Sequence, residues 1–207
     1  MRRVGALALL LAAPAGLGAQ VLGIPVVNNG FTTGMSIAAD VGLANDAAGG
    51  GTALGGHVTL GSGILGLTAS VSRSSPDVGE AVWSTGGAAS LRVFGGPLVP
   101  FRVTAQAGAA VWDTGPRTRI LHVPISLGLS ATIPNPAFAI RPWLAPRIDI
   151  ARTTVSGVGE TATELGISGG IELGFINGLR VRAAYDRLLA GDDPAVLAFG
   201  LGYAFGR

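Results

Sequence analysis

The chain has 207 residues, with 34 Gly, 12 Pro, no Cys and only 13% charged side chains, every basic one of them Arg. A soluble domain carries about a quarter of its residues as charges, and disorder needs low hydrophobicity with high net charge, so neither description fits a chain whose mean hydropathy is positive. No disulfide framework and no Cys-based metal site can form, and beyond residue 20 no apolar run approaches the ~20 residues of a membrane helix.

Residues 1–19 read as a cleaved signal peptide: Arg2 and Arg3, an apolar core from Val4 to Ala13, then small residues ending at Ala19, with cleavage after Gly18 as the alternative. Removing it leaves twelve basic against twelve acidic side chains. The basicity of the full chain therefore belongs to the signal, and no nucleic-acid partner is expected. Residues 20–30 (QVLGIPVVNNG) follow as an N-terminal lead-in, either periplasmic or a plug.

From residue 31 onward the apolar period is two, as half-buried strands require. Strands are expected near 31–44, 52–61, 64–73, 81–94, 101–112, 117–133, 138–152, 164–175, 179–186 and 197–205. In Glu164–Phe175, for instance, Leu165, Ile167, Ile171, Leu173 and Phe175 share one face, while Glu164, Ser168, Glu172 and the glycines share the other. Tight uncharged turns at Gly61–Gly63, Gly95–Pro100, Pro134–Pro136 and Ile176–Gly178 alternate with longer, mostly acidic connections at 45–51, 74–80, 113–116, 153–163 and 187–195.

The placement of charge decides which face meets what. The polar faces carry Asp40, Arg92, Arg102, Arg141, Arg147, Asp149, Glu164, Glu172, Arg180, Arg182 and Asp186, and the apolar faces carry none within the strands. An Arg facing lipid at the bilayer midplane costs about 2–4 kcal/mol, and charge-free faces are what that cost selects. Phe31, Phe101, Phe138, Phe175 and Phe205 fall on the apolar faces at the tight-turn end, an aromatic girdle at one interface. Trp83 and Tyr185 form a thinner one at the other end. Sheets in lipid must close to satisfy their edges, and an even strand number puts both termini on one side.

On these strands, about 31–207, the chain resembles the small bacterial outer-membrane β-barrels, the class of the OmpA transmembrane domain and the opacity-type barrels. The resemblance implies a single closed antiparallel transmembrane β-barrel in a Gram-negative outer membrane. It implies contact with outer-membrane lipid and lipopolysaccharide, and insertion by the outer-membrane assembly machinery. Ten strands are expected, with eight as the alternative. The chain departs from the class at its end, where Phe205 is followed by Gly206 and Arg207 rather than closing the sequence. A secreted soluble barrel binding an apolar ligand is the inverted reading. It would expose a nearly uncharged Gly, Ala and Ser surface, a poor basis for solubility.

No catalytic residue, cofactor or metal is assigned. GSGILG at 61–66 matches a dinucleotide fingerprint but precedes a strand instead of the helix that motif needs. His57 and His122 face inward, where Asp40, Ser126 or Ser130 could complete a triad, yet residue types alone do not define one. A lipid-acting barrel enzyme is therefore the alternative to a non-enzymatic protein. The six inward Arg and five inward acids give a nearly neutral lumen that admits, at most, a small solute. The bore of such a barrel has a backbone radius of roughly 10 Å, and a narrow path is expected along the small residues of 52–73 and 194–206. Pro142 and Pro146 remove two ladder N–H groups from one side of their strand, which marks a candidate lateral seam.

Overall fold

In a computed structural model, residues 21–96, 99–189 and 191–205 are described; the expected signal peptide and the terminal Gly206 and Arg207 lie outside them. Ten long strands form: β1 Thr33–Ala44, β2 Thr52–Ser62, β3 Leu65–Ser75, β4 Val82–Phe94, β5 Phe101–Gly115, β6 Thr118–Ala131, β7 Phe138–Val155, β8 Val158–Phe175, β9 Leu179–Leu188 and β10 Ala195–Phe205. A two-residue piece, Ile133–Pro134, prolongs β6. Each strand pairs antiparallel with its chain neighbours, and β1 pairs with β10, so the sheet closes on itself. Closure leaves no edge of unpaired amides, the condition for a sheet in hydrocarbon.

Alternation sets the two faces. Ile37, Val41, Leu54, Leu67, Leu127, Leu144, Ile171 and Phe199 are among many large apolar side chains exposed on the outer surface. The strand residues between them point into the lumen and are mostly buried. Charged side chains of outward parity, such as Arg73, Asp113, Arg119, Arg152 and Arg187, occur only at the loop ends of their strands. The connection expected as a loop at 153–163 is instead the tip of a long hairpin. β7 and β8 stay paired as far as Val155 and Val158 across Ser156 and Gly157, both at positive φ, a geometry that suits a tight two-residue turn.

The girdle at the tight-turn end differs from expectation in one member. Phe101, Phe138, Phe175 and Phe205 lie on the outer face, with Phe138 and Phe175 paired across the β7–β8 ladder at 6.2 Å between ring centroids. Phe31 lies before β1, and its ring sits under the Arg180 guanidinium at 4.4 Å in the lumen mouth. The pull of a cation on an aromatic face and the inward path of residues 21–32 take it off the outer surface. A bulge between Arg92 and Phe94 turns Phe94 outward instead.

The prolines act where the sequence placed them. β6 and β7 share one register throughout, yet the pairs that would involve Pro146 and Pro142 are missing from it. Pro124 interrupts the β5–β6 ladder at Gly108 and Ala109 in the same way. Strand β6 thus has proline gaps in its ladders on both sides. Replacing Pro142 and Pro146 together by Val should restore two ladder bonds worth about 1 kcal/mol each. The temperature at which the folded band converts to the unfolded one on a denaturing gel should rise, and unchanged or lower resistance would show that the gaps reflect strand geometry and not proline.

Candidate functional site

The lumen is filled by the chain's own N-terminal segment. Residues 21–32 run from the loop end, where Val21 and Ile24 pack with Ala53, Ala110, Trp112 and Ile120, to the tight-turn end, where Thr32 exchanges hydrogen bonds with Gly63. Val21, Ile24, Val26, Asn28 and Thr32 are buried. An extended segment cannot satisfy its own backbone, so the wall must do it. Ser72 Oγ donates to the Leu22 carbonyl at 2.9 Å and Ser168 Oγ to the Val26 carbonyl at 2.7 Å, while the Val26 N–H donates to Asp186 Oδ2 at 2.9 Å. Asn28 donates to Ser126 Oγ at 3.0 Å and to the Thr104 carbonyl at 3.1 Å, and accepts from Thr104 Oγ1 at 2.6 Å. Asn29 Nδ2 donates to Glu172 Oε2 at 3.0 Å.

Glycines make the room. A Cβ on Gly42 would stand 2.0 Å from the Gly23 carbonyl oxygen, one on Gly55 2.7 Å from Ile24, and one on Gly128 2.5 Å from Asn28. The small-residue wall expected to border a water path is therefore partly occupied by peptide. Between segment and wall lie a cavity of about 50 Å³ at the tight-turn half, against Ser36, Ala38, Thr59, Thr68 and Gly202, and a pocket of about 10 Å³ beside His57 and Ser70. The first has room for a few waters and the second for one at most.

The inward charges form three groups, stepped along the lumen. Toward the loop end, His122 Nε2 meets Asp149 Oδ1 at 2.7 Å, and Arg147 bridges Asp149 at 2.7 Å and Asp186 at 2.6 Å. In the middle, Arg182 donates to Asp40 Oδ1 at 2.5 Å, and His57 Nδ1 lies 3.2 Å from Asp40 Oδ2. At the tight-turn end, Arg141 and Arg180 each donate to Glu172 Oε1 at 3.0 Å. Cross-strand register explains the fit. Arg182 stands opposite Gly200, Arg147 opposite Gly166 and Arg180 opposite Gly174 and Gly202, so each of these three cations has an empty partner position, whereas Arg141 stands opposite Glu172, the acid it pairs with. A Cβ on Gly200 would meet Asp40 Oδ1 at 2.1 Å. Three expected members stand apart. Among the described residues Arg92, Arg102 and Glu164 form no ion pair, Glu164 lying cross-strand from Asp149.

Both histidines are committed to carboxylates, and among the described residues neither hydrogen-bonds to a serine; Ser126 is engaged by Asn28 and Ser130 is buried beyond it. The sequence reading missed Asn28, Asn29, Thr104 and Ser168. Their signal was the polar NNG at the end of an otherwise apolar segment, with neutral hydrogen-bonding groups at inward strand positions.

No family model matches the chain, and no curated protein sequence matches it. Solved structures share the fold. The β domain of the Bordetella autotransporter BrkA matches at TM-score 0.54 and 14% identity, over 84% of this chain and all of that one (100%). LpxR from Salmonella typhimurium matches at 0.49 and 11%, over 82% and 100%. The N-terminal β-barrel domain of Pseudomonas aeruginosa OprF matches at 0.42 and 16%, over 84% and 98%. A closed antiparallel barrel with an apolar outer band, aromatic at its edge, and a polar lumen is built for an outer membrane, and the chain has the fold of the bacterial outer-membrane β-barrels.

Asp186 is the pivot of the loop-end group, since it holds both Arg147 and the segment's Val26 amide. Asp186→Ala leaves a buried guanidinium short of a partner and should cost about 3–5 kcal/mol. Denaturant unfolding in lipid vesicles would check this; a loss under about 1 kcal/mol would mean that water replaces the carboxylate.

Proposed function

We infer that this protein is a non-enzymatic outer-membrane barrel held closed by its own N-terminal segment, a structural element of the envelope with at most a narrow water path. The observation that carries the reading is the segment 21–32 lying along the lumen, with seven hydrogen bonds joining residues 22–29 to the wall. The apolar cluster at Trp112 and Ile120 supports it, because it seals the loop end around Val21 and Ile24. The outer face meets outer-membrane lipid and lipopolysaccharide, and the chain reaches the membrane through the assembly machinery that folds such barrels. A lipid-acting enzyme finds less support: the His–Asp pairs lie inside a filled lumen, away from the outer surface that lipid reaches.

Two samples test the reading in planar bilayers, the full mature chain and a chain lacking residues 21–30. The full chain should give no resolved current steps, and the shortened chain should give stable ones. Steps of equal size in both would mean that the segment does not close the lumen. Heat-dependent mobility on a denaturing gel, shown by both samples, certifies that each is folded.

A further inference from the structure

Among the described residues, the tight-turn mouth of the lumen is charged on one side only. From β4 round to β9 it carries Arg92, Arg102, Arg141 and Arg180, all half-buried, with Glu172 as the acid among them. From β10 round to β3 the inward positions are Ser36, Thr59, Gly61, Gly66, Thr68 and Gly202, all neutral. Glu172 is already committed: its Oε1 accepts from Arg141 and Arg180, and its Oε2 from Asn29. Among the described residues Arg92 and Arg102 have no acidic partner. Arg92 pairs with Thr104, two residues along the inward face from Arg102; Arg102 pairs with Ser130, and Ser130 with Trp143, two residues from Arg141, so the three stand on successive stretches of one wall. The Arg102 stem is fixed in place, with Gly95 at positive φ packed so closely that a Cβ there would meet Arg102 Cα and Cγ at 3.0 Å, and with Gly30 on its other side.

Like charges brought together at a half-buried site repel. Guanidinium cannot relieve this by losing its proton at neutral pH. The remaining relief is an anion. Guanidinium groups present paired N–H donors in the spacing of a phosphate or carboxylate, and several on one wall suit an anion of more than one negative charge. We propose that Arg92, Arg102 and Arg141 form a binding site for a multivalent oxyanion of the phosphate class at the tight-turn mouth, independent of whether the lumen conducts. The ligand enters from the side of the membrane that holds the tight turns, and the charged arc keeps it against the β4–β7 wall. Free phosphate and the phosphate ester of a larger molecule share this chemistry.

The test uses the full mature chain folded in an uncharged maltoside detergent. Pyrophosphate and glycerol phosphate are titrated separately by calorimetry at constant ionic strength, into wild type, Arg92→Gln, Arg102→Gln and, as a control, Arg119→Gln at the opposite end. Wild type should bind pyrophosphate saturably. Each of the first two variants should weaken that binding about tenfold, the loss of one charge-assisted contact, and the control should not move. Glycerol phosphate binding as well would mean that the site accepts phosphate esters, and pyrophosphate alone would confine it to free anions. Absence of saturable heat in wild type at millimolar pyrophosphate overturns the proposal, whether or not either variant folds. Equal weakening by all three substitutions does the same, because it reports net charge and not a site.

Discussion

An amide in hydrocarbon has no water to turn to, and the whole structure follows from that. Each unpaired backbone group in lipid costs several kcal/mol, so the sheet must close, and β1 must find β10. Closure then fixes the meaning of alternation, because every second side chain faces lipid and the others face a confined lumen. Prolines break the ladder without leaving an N–H unpaired. Pro142 and Pro146 face outward, and Pro124 faces the lumen, but all three thin the hydrogen bonding around one strand, β6. The other irregularities are bulges at Arg92/Phe94 and Asp113/Gly115, near strand ends.

The lumen obeys the same rule in a different medium. Eleven charged side chains project into it, and most are satisfied by one another, since a buried charge without a partner is far more costly than a paired one. The register makes the pairing sterically feasible. Opposite Arg147 and Arg182 stand Gly166 and Gly200, so each guanidinium lies across a bare backbone to reach a carboxylate on a nearby strand. Glycine is usually a poor strand residue. Here its lack of a side chain is the reason that a cation fits.

Strand positions, the identity of the two faces and the inward charges were legible because period two and the placement of charge are strong local signals. The outward proline seam was legible for the same reason: Pro142 and Pro146 are four apart and lose their bonds on one side. The occupant of the lumen was legible only as one of two readings of residues 20–30, a periplasmic lead-in or a plug. Residues 20–30 have no period, and an extended segment satisfied by a surrounding wall leaves no pattern of its own. The complementary signal was spread over Gly42, Gly55 and Gly128 on separate strands, and inward glycines read equally well as open space. Phe31 misled for a related reason. Its parity matched β1, but the chain before Thr33 has left the sheet and follows the lumen, where parity carries no information about lipid.

The segment and the Arg wall solve one packing problem between them. Side chains on the β4–β9 side are long enough to reach across part of the bore, whereas the β10–β3 side is mostly Gly, Ala, Ser and Thr, with Asp40 and His57 as exceptions in the middle. A bore filled by side chains alone would leave that half to water. The segment VLGIPVV fills the loop end and middle with apolar groups, and NNG closes the other end with amides, so no new charge enters a lumen that has little acid to spare. Its attachment is also strong. Seven hydrogen bonds to the wall, at about 0.5–1.5 kcal/mol each, sum to roughly 3.5 kcal/mol at the least, before the burial of Val21, Ile24 and Val26 is counted. An opening that breaks all of them would be populated in about one molecule in a few hundred or fewer. Emptying the lumen therefore requires something that binds it more tightly than the segment does.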